Sequence, residues 1–191
     1  GAVQLGDEDD YFQSGLFTIA RRRILWLLIL VLANGLTTKV IAMNDQILKE
    51  IVLLAAFIPL LIGTGGNVGA QSSTVVIRGL STQKLKSMGA FKVVVKEAIT
   101  GALLGILMML VVFPFAWWQG EGPLIASAVG ISLISITTLA ATAGAILPLL
   151  FERMGLDPAL MSSPFITTVT DIAGVFIYLS TANWLLNSSI L

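Results

Sequence analysis

The stretch SPFITTVTDIAG, residues 163–174, carries a single carboxylate, Asp171, inside an apolar run. Asp171 is the only charged residue between Pro158 and Leu191. A carboxylate near the centre of a bilayer is costly, and a chain keeps one only where water, a partner or a cation stabilises it. Asp171 is therefore a candidate functional residue, with a cation as its leading partner. On a helical wheel Ser163, Thr167, Thr170, Asp171, Gly174 and Tyr178 share one face at steps of three and four. Phe165, Val169, Ile172, Phe176 and Leu179 share the opposite face. The expectation is a polar stripe turned away from lipid; the alternative is a hydrogen-bonded structural Asp. Just upstream, Asp157-Pro158 reads as an N-cap followed by a proline at the first helical position. Pro164 is expected to break the backbone ladder and free carbonyls near Thr167.

Composition agrees with a membrane setting. Of 191 residues, 56% are hydrophobic and 12% are charged, the latter about half the usual share of a soluble domain. The formal net charge is zero, so nothing points to nucleic acid. The chain has neither cysteine nor histidine. That excludes disulfides and any thiolate or imidazole metal site. A bound metal must be held by oxygen, which suits Mg²⁺, Ca²⁺ or Mn²⁺.

Five apolar segments are long enough to cross a bilayer as helices, near residues 24–44, 51–74, 97–118, 123–151 and 159–187. The fold class is thus an all-α membrane protein with five transmembrane helices per subunit. Nine of the eleven basic residues fall on one side if these spans alternate: Arg21, Arg22, Arg23, Arg78, Lys84, Lys86, Lys92, Lys96 and Arg153. Lys39 and Lys49 fall on the other. This bias places the N-terminus in the cytoplasm and the C-terminus outside. Trp117, Trp118 and Trp184 then mark the outer interface, and Trp26 the inner one. In the fourth span Ala126, Gly130, Ala140 and Gly144, and in the third Gly101 and Gly105, read as close helix packing.

The second span is unusual. Residues 57–74, FIPLLIGTGGNVGAQSST, hold a proline, four glycines, an asparagine and a glutamine. Pro59 and the glycines predict irregular backbone, which at membrane depth is tolerated only inside protein or along a water-filled cavity. Gly63, Asn67, Gln71 and Thr74 share one stripe. It fits either a pore lining or a tight crossing with interhelical amide bonds, and the polar excess favours the first.

Two stretches resemble the signature of the MgtE magnesium transporter family: PLLIGTGGNVGAQSSTVVIRGL from Pro59, and LDPALMSSPFITTVTDIAGVFIYLSTA from Leu156. The resemblance runs from about Tyr11 to the end. It implies a homodimer in the inner (plasma) membrane, with a central cation pore lined by the second and fifth spans. The family's pore carboxylate maps onto Asp171, and a backbone carbonyl ligand maps onto Thr167. Gly63, Gly66, Asn67, Gln71, Ser163, Thr170 and Gly174 are then expected to line the pore. Ser163 stands where some members carry asparagine. The family's cytoplasmic N-terminal and CBS domains are implied partners that this sequence does not include. Residues 1–22 are expected to be a remnant of the cytoplasmic connector, with a solvated tail as the plainer reading, and residues 23–191 to form the pore domain.

Two Asp171 carboxylates meeting at a two-fold axis would repel unless a divalent ion or shared proton lay between them. Mg²⁺ sheds water reluctantly, so such a pair would hold it largely hydrated. Mn²⁺, Co²⁺ and Ca²⁺ fit the same chemistry. No Walker-type Gly-Lys-Ser/Thr motif is present, so a passive, channel-like path is expected. An ion-coupled secondary transporter is the alternative. An intramembrane aspartyl protease would need two carboxylates sharing a proton and finds no second sequence element. A non-transporting scaffold would have no use for polar stripes on two helices.

Overall fold

The structure is a computed structural model and describes residues 15–82, 85 and 89–188. The described residues form helices α1 (Leu16–Met43), α2 (Asp45–Glu50), α3 (Val52–Ser81), α4 (Ala90–Ala116), α5 (Gly122–Arg153) and α6 (Pro158–Ser188). A π-helical turn, Trp117–Glu121, joins α4 to α5. No strand occurs among the described residues. Of the basic and aromatic markers named above, Lys84 and Lys86 lie outside the described residues, as do the side chains of Arg22, Arg23 and Trp26. Residues 1–14 of the expected connector lie outside them too.

Four stretches are long and apolar enough to cross a membrane: Val52–Ser81, Ala90–Gln119, Gly122–Arg153 and Met161–Asn187. The remaining expected span falls on α1, whose apolar part Leu27–Met43 is shorter. At about 1.5 Å per residue it rises roughly 25 Å, against a hydrocarbon core of about 30 Å.

Several helices run past the bounds that hydropathy suggests. α3 continues to Ser81 and takes in Arg78, while α4 begins at Ala90 and takes in Lys92 and Lys96. Hydropathy ends where charge begins, but a helix need not: long basic side chains extend from it towards water. α4 starts directly after Gly89, at φ 81°, a conformation that glycine adopts without a Cβ penalty. At the start of α6 the local signal is borne out. The Ala159 amide donates to Asp157 Oδ1 at 2.8 Å, and Pro158 is the first helical residue.

α5 is the hub. It packs along α3, α4 and α6, while α3 and α4 barely meet each other and α1 lies against α6. Small residues let these backbones approach. A β-carbon built at Gly101 of α4 would stand 2.5 Å from the Thr137 carbonyl oxygen of α5. One at Gly105 would stand 2.5 Å from Ile134 Cα, and one at Gly130 would stand 2.7 Å from Met109 Cγ. The core between helices holds Leu54, Leu61, Leu133, Ile136, Tyr178 and Leu179, all fully buried. The outer face of α4 exposes Leu103, Leu107, Leu110 and Val111, as a lipid-facing helix does.

Candidate functional site

α3 is one unbroken helix through Pro59 and its four glycines. The irregular backbone expected there does not occur. Pro59 withholds a single donor, the one that would reach the Ala55 carbonyl one turn earlier, and Ala55 lies on the exposed side. The glycines divide by face instead. A β-carbon at Gly65 would stand 2.7 Å from Ile136 Cγ2 of α5 and 3.7 Å from Thr170 Cβ of α6. One at Gly69 would stand 2.5 Å from Ile166 Cγ2 of α6 and 3.2 Å from the Ala140 carbonyl oxygen of α5. Gly63 and Gly66 meet nothing within 4 Å. Gly65 and Gly69 thus make the α3–α5–α6 crossing. Gly63, Asn67, Gln71 and Thr74 form an exposed row beside it, with Gly66 half-buried between.

α6 is also continuous, with Pro164 inside it. Pro164 withholds the donor that would reach the carbonyl of Leu160, not one near Thr167. The Thr167 carbonyl accepts the Thr170 hydroxyl at 2.9 Å, and the Ile166 carbonyl accepts it at 2.8 Å.

The polar face expected on α6 splits into two rows. Ser163 and Thr167 are exposed and Asp171 is half-buried, one row at steps of four. Ser162, Ile166, Thr170, Gly174, Tyr178 and Ala182 form a second row at the same step, and all six are buried. Rows at four-residue steps are inclined to the helix axis, so neighbouring residues on one wheel face can lie on opposite sides of a packing edge. Thr170 and Gly174 therefore sit in the helix crossing and not on the exposed row; Gly174 lies against Ile136. Leu179, expected to face lipid, is fully buried for the same reason. Phe165, Val169 and Phe176 stay exposed.

Asp171 makes no hydrogen bond or ion pair among the described residues, and neither do Asn67 and Gln71. The tight-crossing reading of the α3 stripe required interhelical amide bonds, and Asn67 and Gln71 form none among the described residues. No cluster of three or more Asp and Glu side chains occurs among the described residues.

One contact was not foreseen from the sequence. Ser72 Oγ, on the buried side of α3 beside Gln71, lies 2.8 Å from Glu97 Oε2 of α4 and 2.8 Å from the Ala141 carbonyl of α5. The available signal was Glu97 itself, a second carboxylate at the head of the third apolar segment.

Four helices long and apolar enough to cross a membrane, packed through an α3–α6 crossing made by glycines, are the features of a polytopic membrane protein. A family model for MgtE, divalent cation transporters, matches residues 58–181. A magnesium transporter MgtE of Thermus thermophilus is 38% identical over 98% of this chain and 41% of its own length. One from Enterococcus faecalis is 34% identical over 86% of this chain and 36% of its own. One from Bacillus subtilis is 31% identical over 95% of this chain and 40% of its own. The chain belongs to the MgtE family. It spans about two-fifths of the length of these relatives. The family is one of transporters and not of enzymes, which removes the protease reading.

Proposed function

We propose that this chain moves Mg²⁺ across a membrane along a path bordered by α3 and α6, with Asp171 as the charged contact for the ion. The observation that carries this reading is Asp171 itself. It is a half-buried carboxylate within a membrane-crossing stretch, on a polar row, with no partner in its own chain among the described residues. The ion comes from the relatives, which are magnesium transporters.

The path forms between two copies in the inner (plasma) membrane, and α1 completes five spans per copy with the N-terminus cytoplasmic. The exposed rows Gly63-Asn67-Gln71 and Ser163-Thr167-Asp171 are what each copy contributes. Two-fold symmetry sets two carboxylates against one ion. A hydrated Mg²⁺ suits this arrangement, because it keeps most of its waters and these donate outer-sphere hydrogen bonds to carboxylate, amide and hydroxyl oxygens. Loose holding allows release as well as entry. The Thr167 carbonyl, already engaged by Thr170, contacts the ion's water shell and not the metal. Mn²⁺, Co²⁺ and Ca²⁺ compete to the extent that they fit the same shell.

The test is Mg²⁺ flux into proteoliposomes containing the chain, with Asp171→Asn alongside. Flux should be present in the native chain, independent of Na⁺ and of a proton gradient, and lost in the variant while its dimer persists by cross-linking. Native flux in Asp171→Asn would overturn the assignment. Dependence on Na⁺ or protons would turn it into a coupled transporter.

A further inference from the structure

We propose that Glu97 is a positioning residue that sets which face of α3 borders the ion path, acting through Ser72. This rests on the reading that α3 borders that path.

Ser72 is 3% exposed and belongs to the buried side of α3. It is held from two directions. Ala141 of α5 and Glu97 of α4 both present oxygens at 2.8 Å to its hydroxyl. A hydroxyl has one hydrogen, which these two acceptors share in a three-centre arrangement. A β-carbon at Gly144 of α5 would stand 3.0 Å from Ser72 Cβ, so the serine backbone is also close-packed. Because α3 and α4 otherwise barely meet, the Ser72–Glu97 bond is the polar tie between them. Glu97 makes no other hydrogen bond or ion pair among the described residues.

The consequence is angular. Successive helical residues are about 100° apart. Gln71 is exposed, while Ser72 and Ser73 are 3% and 4% exposed. Turning α3 by one residue would replace Gln71 on the open side and tear Ser72 from both acceptors. Gly65 and Gly69 bring α3 close to α5 and α6, while Gly63 and Gly66 meet nothing within 4 Å on the open side. To that close packing the Ser72 hydroxyl adds a directional contact, and a carboxylate, which only accepts, holds the serine as donor.

The absence of native cysteine makes the test direct. Single cysteines are placed at Gln71 and at Ser73, and the chain in liposomes is treated with a membrane-impermeant thiol reagent. Gln71→Cys should react much faster than Ser73→Cys. Adding Glu97→Met, which keeps length and removes the acceptor, should shrink that ratio by about tenfold, the scale of one lost buried hydrogen bond. Glu97→Gln keeps an acceptor oxygen and should restore the ratio. In flux, Glu97→Met should lower the maximal rate and leave the half-saturating Mg²⁺ unchanged, and Glu97→Gln should recover the rate. Ser72→Ala breaks the same tie from the other side and serves if Glu97→Met folds poorly. It should reproduce both effects, and the double variant should be no worse than Ser72→Ala alone, which also gives up the Ala141 bond.

An unchanged labelling ratio in Glu97→Met or in Ser72→Ala overturns the proposal. Equal flux loss in Glu97→Gln and Glu97→Met with native labelling overturns it too, since the charge and not the bond would then matter. Additive losses in the double variant do the same. A native chain that passes no Mg²⁺ would defeat the transport reading, while the labelling ratio would still decide whether Glu97 sets the angle of α3.

Discussion

Gly69 of α3 lies directly against Ile166 of α6: a β-carbon at Gly69 would stand 2.5 Å from Ile166 Cγ2 and 3.2 Å from the Ala140 carbonyl oxygen. The isoleucine methyl can turn aside, but the α5 backbone beyond it cannot move without disturbing the hub. Gly69→Ala should therefore destabilise the fold by about 1–3 kcal/mol, the usual cost of overpacking. Gly63 sits six residues earlier on the same helix with nothing within 4 Å. Gly63→Ala should be neutral or stabilising by up to about 1 kcal/mol, through helix propensity. Thermal unfolding of the two variants in detergent measures the contrast. Equal melting temperatures would mean that the crossing is looser than described.

Thr170 separates packing from ion contact in the same crossing. Its hydroxyl is spent on the Ile166 and Thr167 carbonyls. Thr170→Val keeps the shape and frees the Thr167 carbonyl, which lies in the row with Asp171. The freed oxygen can accept a further hydrogen bond from the ion's water shell. Half-saturating Mg²⁺ should fall by about threefold, in keeping with one modest hydrogen bond, with little change in melting temperature. An unchanged half-saturation point would remove Thr167 from the ion's surroundings.

Much of this was legible in the sequence, and the limits have physical causes. The exposed row of Gly63, Asn67, Gln71 and Thr74 follows from helical spacing alone, because all four lie within three turns. The α6 face was drawn over a longer span, from Ser163 to Tyr178, and a straight wheel conceals the inclination of four-residue rows over that length. Thr170, Gly174 and Tyr178 consequently went to the packed side. Pro59 and the glycines, helix breakers by local propensity, do not interrupt α3. In an apolar medium an unsatisfied backbone group is so costly that the helix persists through them. The Ser72–Glu97 contact joins residues 25 apart in sequence. It depends on how α4 crosses α3, which no local pattern encodes.

Asp157 offers a control that touches stability without touching the path. Its carboxylate accepts the Ala159 amide at the start of α6, and it is exposed. Asp157→Ala should cost about 1 kcal/mol as a lost N-cap, visible as a lower melting temperature. Asp157→Asn or Asp157→Ser should recover most of it. Half-saturating Mg²⁺ should stay at the native value in all three. A shift in that value shared by Ala, Asn and Ser would show that the carboxylate meets the ion as well as the helix.

Asn67 and Gln71 make the opposite case. Both are exposed on the single chain, and neither bonds to another described residue. Truncating them removes no contact that holds the fold, so Asn67→Ala and Gln71→Ala should change stability by no more than about 0.5 kcal/mol. Polar amides on a membrane-crossing helix nonetheless carry a desolvation cost unless something wets them. A water-filled path supplies that, and the amides in turn offer hydrogen bonds to the ion's hydration shell. Removing one should lower Mg²⁺ flux several-fold with the melting temperature unmoved. Gln71→Leu should lower it further, because an apolar side chain there discourages water as well as withholding a bond. If instead both alanine variants melt far below the native chain and conduct normally, these amides tie helices together between copies, and the α3 row would be a dimer seam and not the border of the path.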